Sequence, residues 1–250
     1  MGKKIKSEML DLKSSFIDGS IKNNINSINA KKIFADIEKF AGYGFNKSHA
    51  AAYALISYQT AWCKTHFPAE FFTALLNSEI DNSTEKYSAI KIEIEKNDIM
   101  ILKSDINKSD IFFKVEKFEG KFNIRSGLAN IKNIGVELAK FIINEREKNG
   151  KYKSIFDFFL RLNPTLINKR QIEYLAMAGT FDDFNFNRAS IFSSASNLLL
   201  ISQNAYKEGL SNQQALFSDV NIEDNYNHLI KSIENWKNEE LYLNEFYSLG

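Results

Sequence analysis

Apolar residues recur every three or four positions along most of the chain, and every second position in one short stretch. The first pattern runs through residues 3–40. Ile5, Met9 and Leu12 share one helical face there, and Ile33, Phe34, Ile37 and Phe40 share another. Asp18-Gly19-Ser20 reads as a turn between them, and the largely polar, Asn-rich residues 23–29 as a connector. Gly42 and Gly44 predict a tight loop over 41–46. From Lys47 or Ser48 the alanine-rich run SHAAAYALISYQTAWCKTHF predicts a long helix. Pro68 is placed to open the next helix, with Asp81 and Asn82 to close it. Residues 84–97 carry a charge-rich amphipathic pattern.

The period then falls to two. Residues 99–102 read as a short strand, and 112–117 and 121–125 flank Phe118-Glu119-Gly120 as a hairpin. Helical spacing returns after Gly127 and lasts to about residue 200, whereas 201–250 is acidic and only loosely periodic. No solenoid repeat is present. The expectation is a mainly α fold whose only sheet is a small β-hairpin region near 99–126.

Composition removes several classes. With 21 Phe and 10 Tyr in 250 residues, disorder is excluded as the main state. Eleven Gly and two Pro exclude a collagen-like or linker-like chain. The single cysteine, Cys63, cannot close an intramolecular disulfide, and three His with one Cys are too few for the usual structural zinc site. No stretch approaches the roughly 18 apolar residues of a membrane span. The opening MGKKIKSEML lacks the apolar core of a signal peptide, and Lys6 stands where myristoylation wants Ser or Thr. A soluble, cytoplasmic protein without membrane partners is expected.

The net charge of +1 conceals blocks of alternating sign. Residues 1–64 carry 10 basic against 5 acidic side chains, 65–120 carry 7 against 11, 121–190 carry 12 against 7, and 191–250 carry 3 against 8. A polyanion responds to local field, so two basic surfaces on a near-neutral chain are compatible with nucleic acid.

Several apparent sites dissolve on inspection. Asp105, Asn107, Ser109 and Glu116 match a calcium-loop spacing, but Asp110 stands where the sharp turn needs Gly. Asp182-Asp183 are adjacent carboxylates on one turn, which point apart rather than converge on a metal, and a capping or loop role suits them better. His49 and His66 have no third ligand in register. No nucleophile elbow, Walker A or kinase signature occurs. No catalytic and no metal-binding residues are assigned.

Two stretches remain. In AGYGFNKSHAAAYALISYQT, Asn46 or Ser48 can cap the coming helix, leaving first-turn N–H groups and the positive dipole end beside Lys47 and His49. That is an arrangement for phosphates, with Tyr53 one turn past His49. An ordinary capped core helix fits the same residues. In GLANIKNIGVELAKFIINER, an apolar–x–apolar run, a hairpin and A-x-x-I fit a helix–hairpin–helix. Gly135 frees a backbone N–H for a phosphate oxygen, Lys132 and Lys140 flank it, and Asn133 stands where such hairpins usually carry Gly, a position Asn tolerates at positive φ. A degenerate second copy, INKRQIEYLAMAGTFDDF, opens with Lys169 and Arg170. It lacks the hairpin signature and is expected to be a packing half. An αα-hairpin with surface lysines is the bland alternative.

FAGYGFNKSHAAAYALISYQTAWCKTHFPAEFFTALLNSE resembles the fingers segment of the C-family replicative polymerases, the bacterial DNA polymerase III alpha subunits. The opening MGKK and the closing EFYSLG are similar to stretches of the same family, so the resemblance covers essentially the whole chain and implies an internal fragment. It implies a fingers segment over 1–98, a β-hairpin connector over 99–126, a tandem helix–hairpin–helix over 127–190 that grips duplex, and an acidic helical linker over 191–250 toward the clamp-binding region. It further implies a dNTP pocket drawing on Lys3, Lys4, Lys47, Ser48, His49 and Tyr53, and duplex contacts from Lys132, Asn133, Gly135, Lys140, Lys169 and Arg170. Primer–template DNA and dNTP would be its ligands, with the sliding clamp and other replicase subunits as partners of the parent protein. The parent's nucleotidyl transfer uses Mg2+ held by three palm aspartates, which this chain lacks, so the piece alone is expected to bind no metal and to be inactive. The competing expectation is a non-catalytic helix–hairpin–helix DNA-binding or scaffold module.

Overall fold

The computed structural model describes residues 6–43, 46–79, 84–210 and 226–249. The chain divides into two compact units, Met1–Thr65 and His66–Gly250. That division falls inside the stretch 1–98 read above as one segment.

In the first unit, α1 (Lys6–Lys22) and α2 (Ser27–Tyr43) form a helical pair. Ala30 and Phe34 are its buried anchors, and the Phe16 ring meets Phe34 at 5.5 Å. The turn expected at Asp18-Gly19-Ser20 is not there. α1 runs through it, with Ser20 Oγ donating to the Phe16 carbonyl at 2.8 Å. The chain reverses instead at Asn24, in the left-handed region (φ 61°), where the Ile25 N–H returns to the Ser20 carbonyl at 3.0 Å. Asn at a left-handed C-terminal position closes a helix; Gly19, still in helical register, does not by itself break one. Asn26 Oδ1 then accepts from the Ile28 N–H and starts α2. α2 continues to Tyr43, past the point where the loop was expected to begin. Helix α3 (Lys47–His66) completes the long helix expected from the alanine run.

The second unit opens with α4 (Pro68–Ser78), Pro68 in its first turn, and α5 (Thr84–Lys96). The close expected at Asp81 and Asn82 lies outside the described residues. Both helices pack on a sheet of β1 (Ile101–Leu102), β2 (Lys114–Phe118) and β3 (Lys121–Arg125), in the order β1-β3-β2. β2 and β3 are the expected hairpin, antiparallel with Phe118 opposite Lys121. Its turn is Glu119-Gly120, both at positive φ (49° and 81°), the backbone that matches strand twist. β1 joins β3 in parallel, with Ile101 opposite Ile124. Phe72, Leu76, Ile94 and Ile124 fill the space between helices and sheet.

A second core lies under α6 (Val136–Asn149), α7 (Ile155–Arg161), α8 (Lys169–Met177), α9 (Arg188–Ser193) and α10 (Ala195–Leu210), with α11 (Asn238–Leu249) packed on α8. Phe156, Phe158, Phe159 and Phe181 are buried in it, and Phe158 meets Tyr152, Phe159 and Phe181 at ring distances of 5.0, 5.0 and 5.3 Å. At about 1.5–3 kcal/mol for each large apolar side chain taken from water, this phenylalanine cluster is a principal source of the unit's stability.

One buried ionic group ties distant segments of this unit together. Arg188 grips Asp182 bidentately at 2.8 and 2.7 Å and reaches Glu245 on α11 at 2.6 Å. Burial alone would lower the guanidinium's pKa, but the bonds to Asp182 and Glu245 raise it. Burial likewise works against the Asp182 carboxylate, and its bonds from Arg188 and Lys103 outweigh that and hold its pKa low. Asp183 pairs with Lys108 at 2.5 Å. The adjacent carboxylates thus serve the loop, as their divergence on one turn suggests. Gly179 makes room for this group: its φ is +73°, and a Cβ there would overlap the Arg188 guanidinium.

Candidate nucleic-acid interface

The segment 128–135 is built on an alternation of anchors and exposed positions. Leu128, Ile131 and Ile134 are buried, while Lys132, Asn133 and Gly135 face outward. The first arm is shorter than a helix–hairpin–helix implies: Leu128–Asn130 is a single 3-10 turn, not an α-helix. At its start, Gly127 runs against Ile111 and Phe112 so closely that a Cβ would overlap both. The Gly127 N–H donates to Asn130 Oδ1 at 2.9 Å as an N-terminal cap, and the turn ends after three residues where Ile131 becomes extended (ψ 128°). The hairpin follows, with the Ile134 N–H returning to the Ile131 carbonyl at 3.0 Å and Asn133 at φ 67°. Asn133 therefore takes the left-handed conformation that its substitution for Gly left feasible.

Gly135 precedes α6 in extended conformation (φ −76°, ψ 158°) and offers no side chain to cap the helix. A Cβ at this position would meet no atom within 4 Å. Neither backbone conformation nor packing inside the chain calls for glycine here. What glycine provides is open space over the first-turn N–H groups of α6. Lys140, one turn on, is exposed and lies 3.3 Å from the Glu137 carboxylate.

The N-terminus of α8 lies against this hairpin. Asn168 and Gln171 form a reciprocal capping box: Asn168 Oδ1 accepts from the Gln171 N–H at 3.1 Å, and Gln171 Oε1 accepts from the Asn168 N–H at 2.8 Å. Gln171 Nε2 then donates to the Asn133 carbonyl at 3.1 Å. Lys169 and Arg170, both exposed, are thereby brought beside Lys132, Asn133 and Gly135. Arg170 lies over the half-buried Tyr174 ring at 5.6 Å. The Tyr174 hydroxyl is at the surface, and its hydrogen bond with Arg170, then the nearby Asn133 and Lys132, lower its pKa. This is a concentration of cations and backbone donors, with Glu137 beside Lys140 and Glu173 beside Lys169, suited to holding phosphate oxygens. Among the described residues no group of three His, Cys, Asp or Glu is placed to hold a metal ion.

Sequence reasoning missed three participants. The Asn168-x-x-Gln171 spacing was a legible signal for the cap. Tyr174 had no signal beyond lying one turn past Arg170. Ser248 had none at all, yet its carbonyl accepts from the Lys132 N–H at 2.8 Å, so α11 holds the hairpin from behind.

The other candidate group gathers at the start of α3. Asn46 is the cap: its Oδ1 accepts from the Ser48 N–H at 3.0 Å and from Ser48 Oγ at 2.6 Å, so the Ser48 hydroxyl is engaged in capping. Lys47 is exposed beside it. The His49 and Tyr53 rings lie 4.3 Å apart on one face, as their spacing predicts. Lys3 and Lys4 lie outside the described residues. No residue of α3 is buried, and Tyr53, Leu55, Ile56, Tyr58 and Trp62 are all exposed. No helix is long and apolar enough to cross a membrane, among the described residues.

Comparison with known proteins agrees with this geometry. A family model described as a helix-hairpin-helix motif matches residues 98–191, which takes in the sheet, the hairpin, α6 to α8 and the start of α9. The whole chain is 38% identical to a segment of the DNA polymerase III subunit alpha of Rickettsia bellii, covering 23% of that protein. It is 38% identical over its whole length to 21% of the same subunit from Caulobacter vibrioides. Over 80% of the chain it is 43% identical to 17% of the Escherichia coli K12 subunit. The chain thus spans about a fifth of the length of the relatives it matches.

Proposed function

We propose that this chain is the duplex-gripping and nucleotide-contacting part of a replicative DNA polymerase alpha subunit. The observation that carries the reading is the junction of the Lys132–Gly135 hairpin with the α8 N-terminus through Gln171, inside the stretch that matches a helix–hairpin–helix motif. Lys132, Lys140, Lys169 and Arg170 neutralise phosphates of primer–template DNA. Asn133 shapes the turn, and Gly135 lets a phosphate oxygen approach the α6 N-terminus. Because these contacts go to the backbone, they position the duplex without reading its sequence.

The nucleotide contacts belong to the fingers segment, at the α3 N-terminus. Lys47 supplies a cation where the helix dipole is positive, Asn46 and Ser48 keep that end of the helix formed, and His49 and Tyr53 line the adjacent face; Lys3 and Lys4 complete the set for the incoming triphosphate. Nucleotidyl transfer to the primer 3′-OH would draw on magnesium ions held by aspartates elsewhere in the parent protein, and the residues of this piece bind and orient the nucleotide and duplex. The sliding clamp and other replicase subunits engage the parent protein, and the cytoplasm is its compartment.

Salt dependence of duplex binding tests the clasp. In the intact polymerase, Lys132→Ala with Lys140→Ala should make the slope of log K against log salt shallower by roughly two, because about one unit is contributed per neutralised phosphate. Affinity should fall equally for unrelated sequences. An unchanged slope, or a loss confined to one sequence, would overturn the assignment and favour a scaffold module.

A further inference from the structure

Beside the clasp, between α8 and α11, runs a groove of about 480 Å³, within the range of roughly 300–1,000 Å³ that small-molecule sites occupy. Tyr174, Phe192 and Tyr247 line it, together with Lys169 and Arg170. Its one carboxylate, Glu173, lies 3.5 Å from Lys169, so the groove's balance is positive. Tyr247 is 53% exposed, although the residues around it are fixed: Glu245 pairs with Arg188 and the Ser248 carbonyl holds the Lys132 N–H. Phe192 is braced by Trp236 edge-on at 5.4 Å. The groove therefore presents rigid aromatic faces to water next to cations, and Gln171, on the same helix as Lys169, Arg170 and Tyr174, joins α8 to the hairpin through the Asn133 carbonyl.

Aromatic faces beside two cations suit a ligand that carries both a flat ring and a negative charge. An unpaired nucleotide matches both features: its base offers a π-face of any sequence for stacking, and its phosphate meets the cations. We propose that the α8–α11 groove binds an unpaired nucleotide of DNA, its base stacked on Tyr247 and its phosphate facing Lys169 and Arg170. This rests on the reading of the hairpin as a duplex clasp, and it assigns the same surface a second, single-stranded ligand. Tyr247 lies beyond the segment that matches the helix–hairpin–helix family model, so nothing in that motif supplies the contact.

The test uses the full chain with three fluorescent DNA probes: a blunt duplex, the same duplex with a single-stranded overhang, and a deoxythymidine oligonucleotide. One stacked base is worth about 1–3 kcal/mol. Tyr247→Ala should therefore weaken the oligonucleotide and the overhang by about tenfold and leave the blunt duplex and its salt slope unchanged. Tyr247→Phe should retain the affinity, since stacking needs the ring and not the hydroxyl. Unaltered single-strand binding in Tyr247→Ala would overturn the proposal, and so would an equal loss on the blunt duplex. If wild-type chain failed to bind the blunt duplex at all, the clasp itself would be wrong. Normal duplex binding with indifferent single-strand binding would remove the groove alone.

Discussion

Helices α3 and α6 begin alike and are held differently. Each follows glycine-bearing sequence, each carries lysine near an N-terminus, and each reads as an anion site. α6 buries Leu138, Ala139, Ile142 and Ile143 in a continuous core, and its hairpin is bonded to both α8 and α11. α3 is longer by six residues and buries none, with five large apolar side chains left in water. The difference shows that a local capping signal specifies where a helix starts, not what stabilises it. For α3 the intrinsic support is alanine propensity and the Asn46 cap, and isolated helices of this length are marginal in water. For α6 the support is packing.

Hydrogen exchange breaks this comparison most directly. In the full chain, amides of α3 should exchange at least about a thousandfold faster than those of Ile142, Ile143 and Leu175, whose opening requires loss of the core. Comparable protection in the two helices would mean that α3 is held by packing. A second large effect lies in chemistry. In a polymerase carrying this segment, as proposed above, Lys47→Ala should lower kcat/KM for dNTP by roughly 10- to 1000-fold, as loss of one charge-assisted contact does, with DNA affinity in the absence of dNTP nearly constant. If steady-state incorporation stayed normal and DNA binding collapsed, Lys47 would be a duplex contact or a folding residue.

The buried ionic group sharpens the comparison from the other side. Asp182→Ala leaves Arg188 with Glu245 and the Met177 carbonyl and, with Asp182 partly exposed, should destabilise the second unit by about 2–3 kcal/mol, below the range of roughly 3–5 kcal/mol for removing one partner of a fully buried pair. Tyr58→Ala on exposed α3 should change stability by less than about 0.5 kcal/mol. Urea unfolding of the full chain, followed by near-ultraviolet circular dichroism, measures both. The pH dependence carries the same signature. The folded Asp182 carboxyl titrates below its unfolded value of about 3.9, so its contribution is complete above that value and is lost as pH falls through the folded one. Wild type should lose stability on acidification below about pH 4, and Asp182→Asn should flatten that loss.

The smallest effects separate two glycines. Gly179→Ala should cost at least about 1–2 kcal/mol, since Gly179 is left-handed and its missing side chain leaves room for Arg188. Gly135→Ala should stay within about 0.5 kcal/mol of wild type in stability and yet weaken duplex binding, because the space above it is open. Equal destabilisation by both would show that Gly135 serves the fold.

Periodicity and local capping signals determined the mainly helical architecture, the hairpin at 114–125 and the helix starts at Lys47 and Pro68, but not the start at Ser27, which falls inside the stretch read as a connector. Local chemistry suffices there: apolar spacing selects the element, Asn or Pro marks its first turn, and Asn24 and Asn133 accept positive φ. It also placed His49 and Tyr53 on one face. Other features are long-range. β1 pairs in parallel with a strand more than twenty residues on, and no pattern in Ile101 and Leu102 names that partner. Gly127 sits against Ile111 and Phe112, and the first arm of the hairpin ends after one turn at the extended Ile131, whereas the apolar spacing alone allowed a helix. Arg188 reaches Glu245 across 57 residues, and the Lys132 N–H finds Ser248 across more than a hundred. Side-chain spacing records which face an element buries, but not which distant backbone carbonyl or carboxylate meets it. Tertiary packing decided those contacts, and with them the groove at Tyr247 and the setting of the clasp.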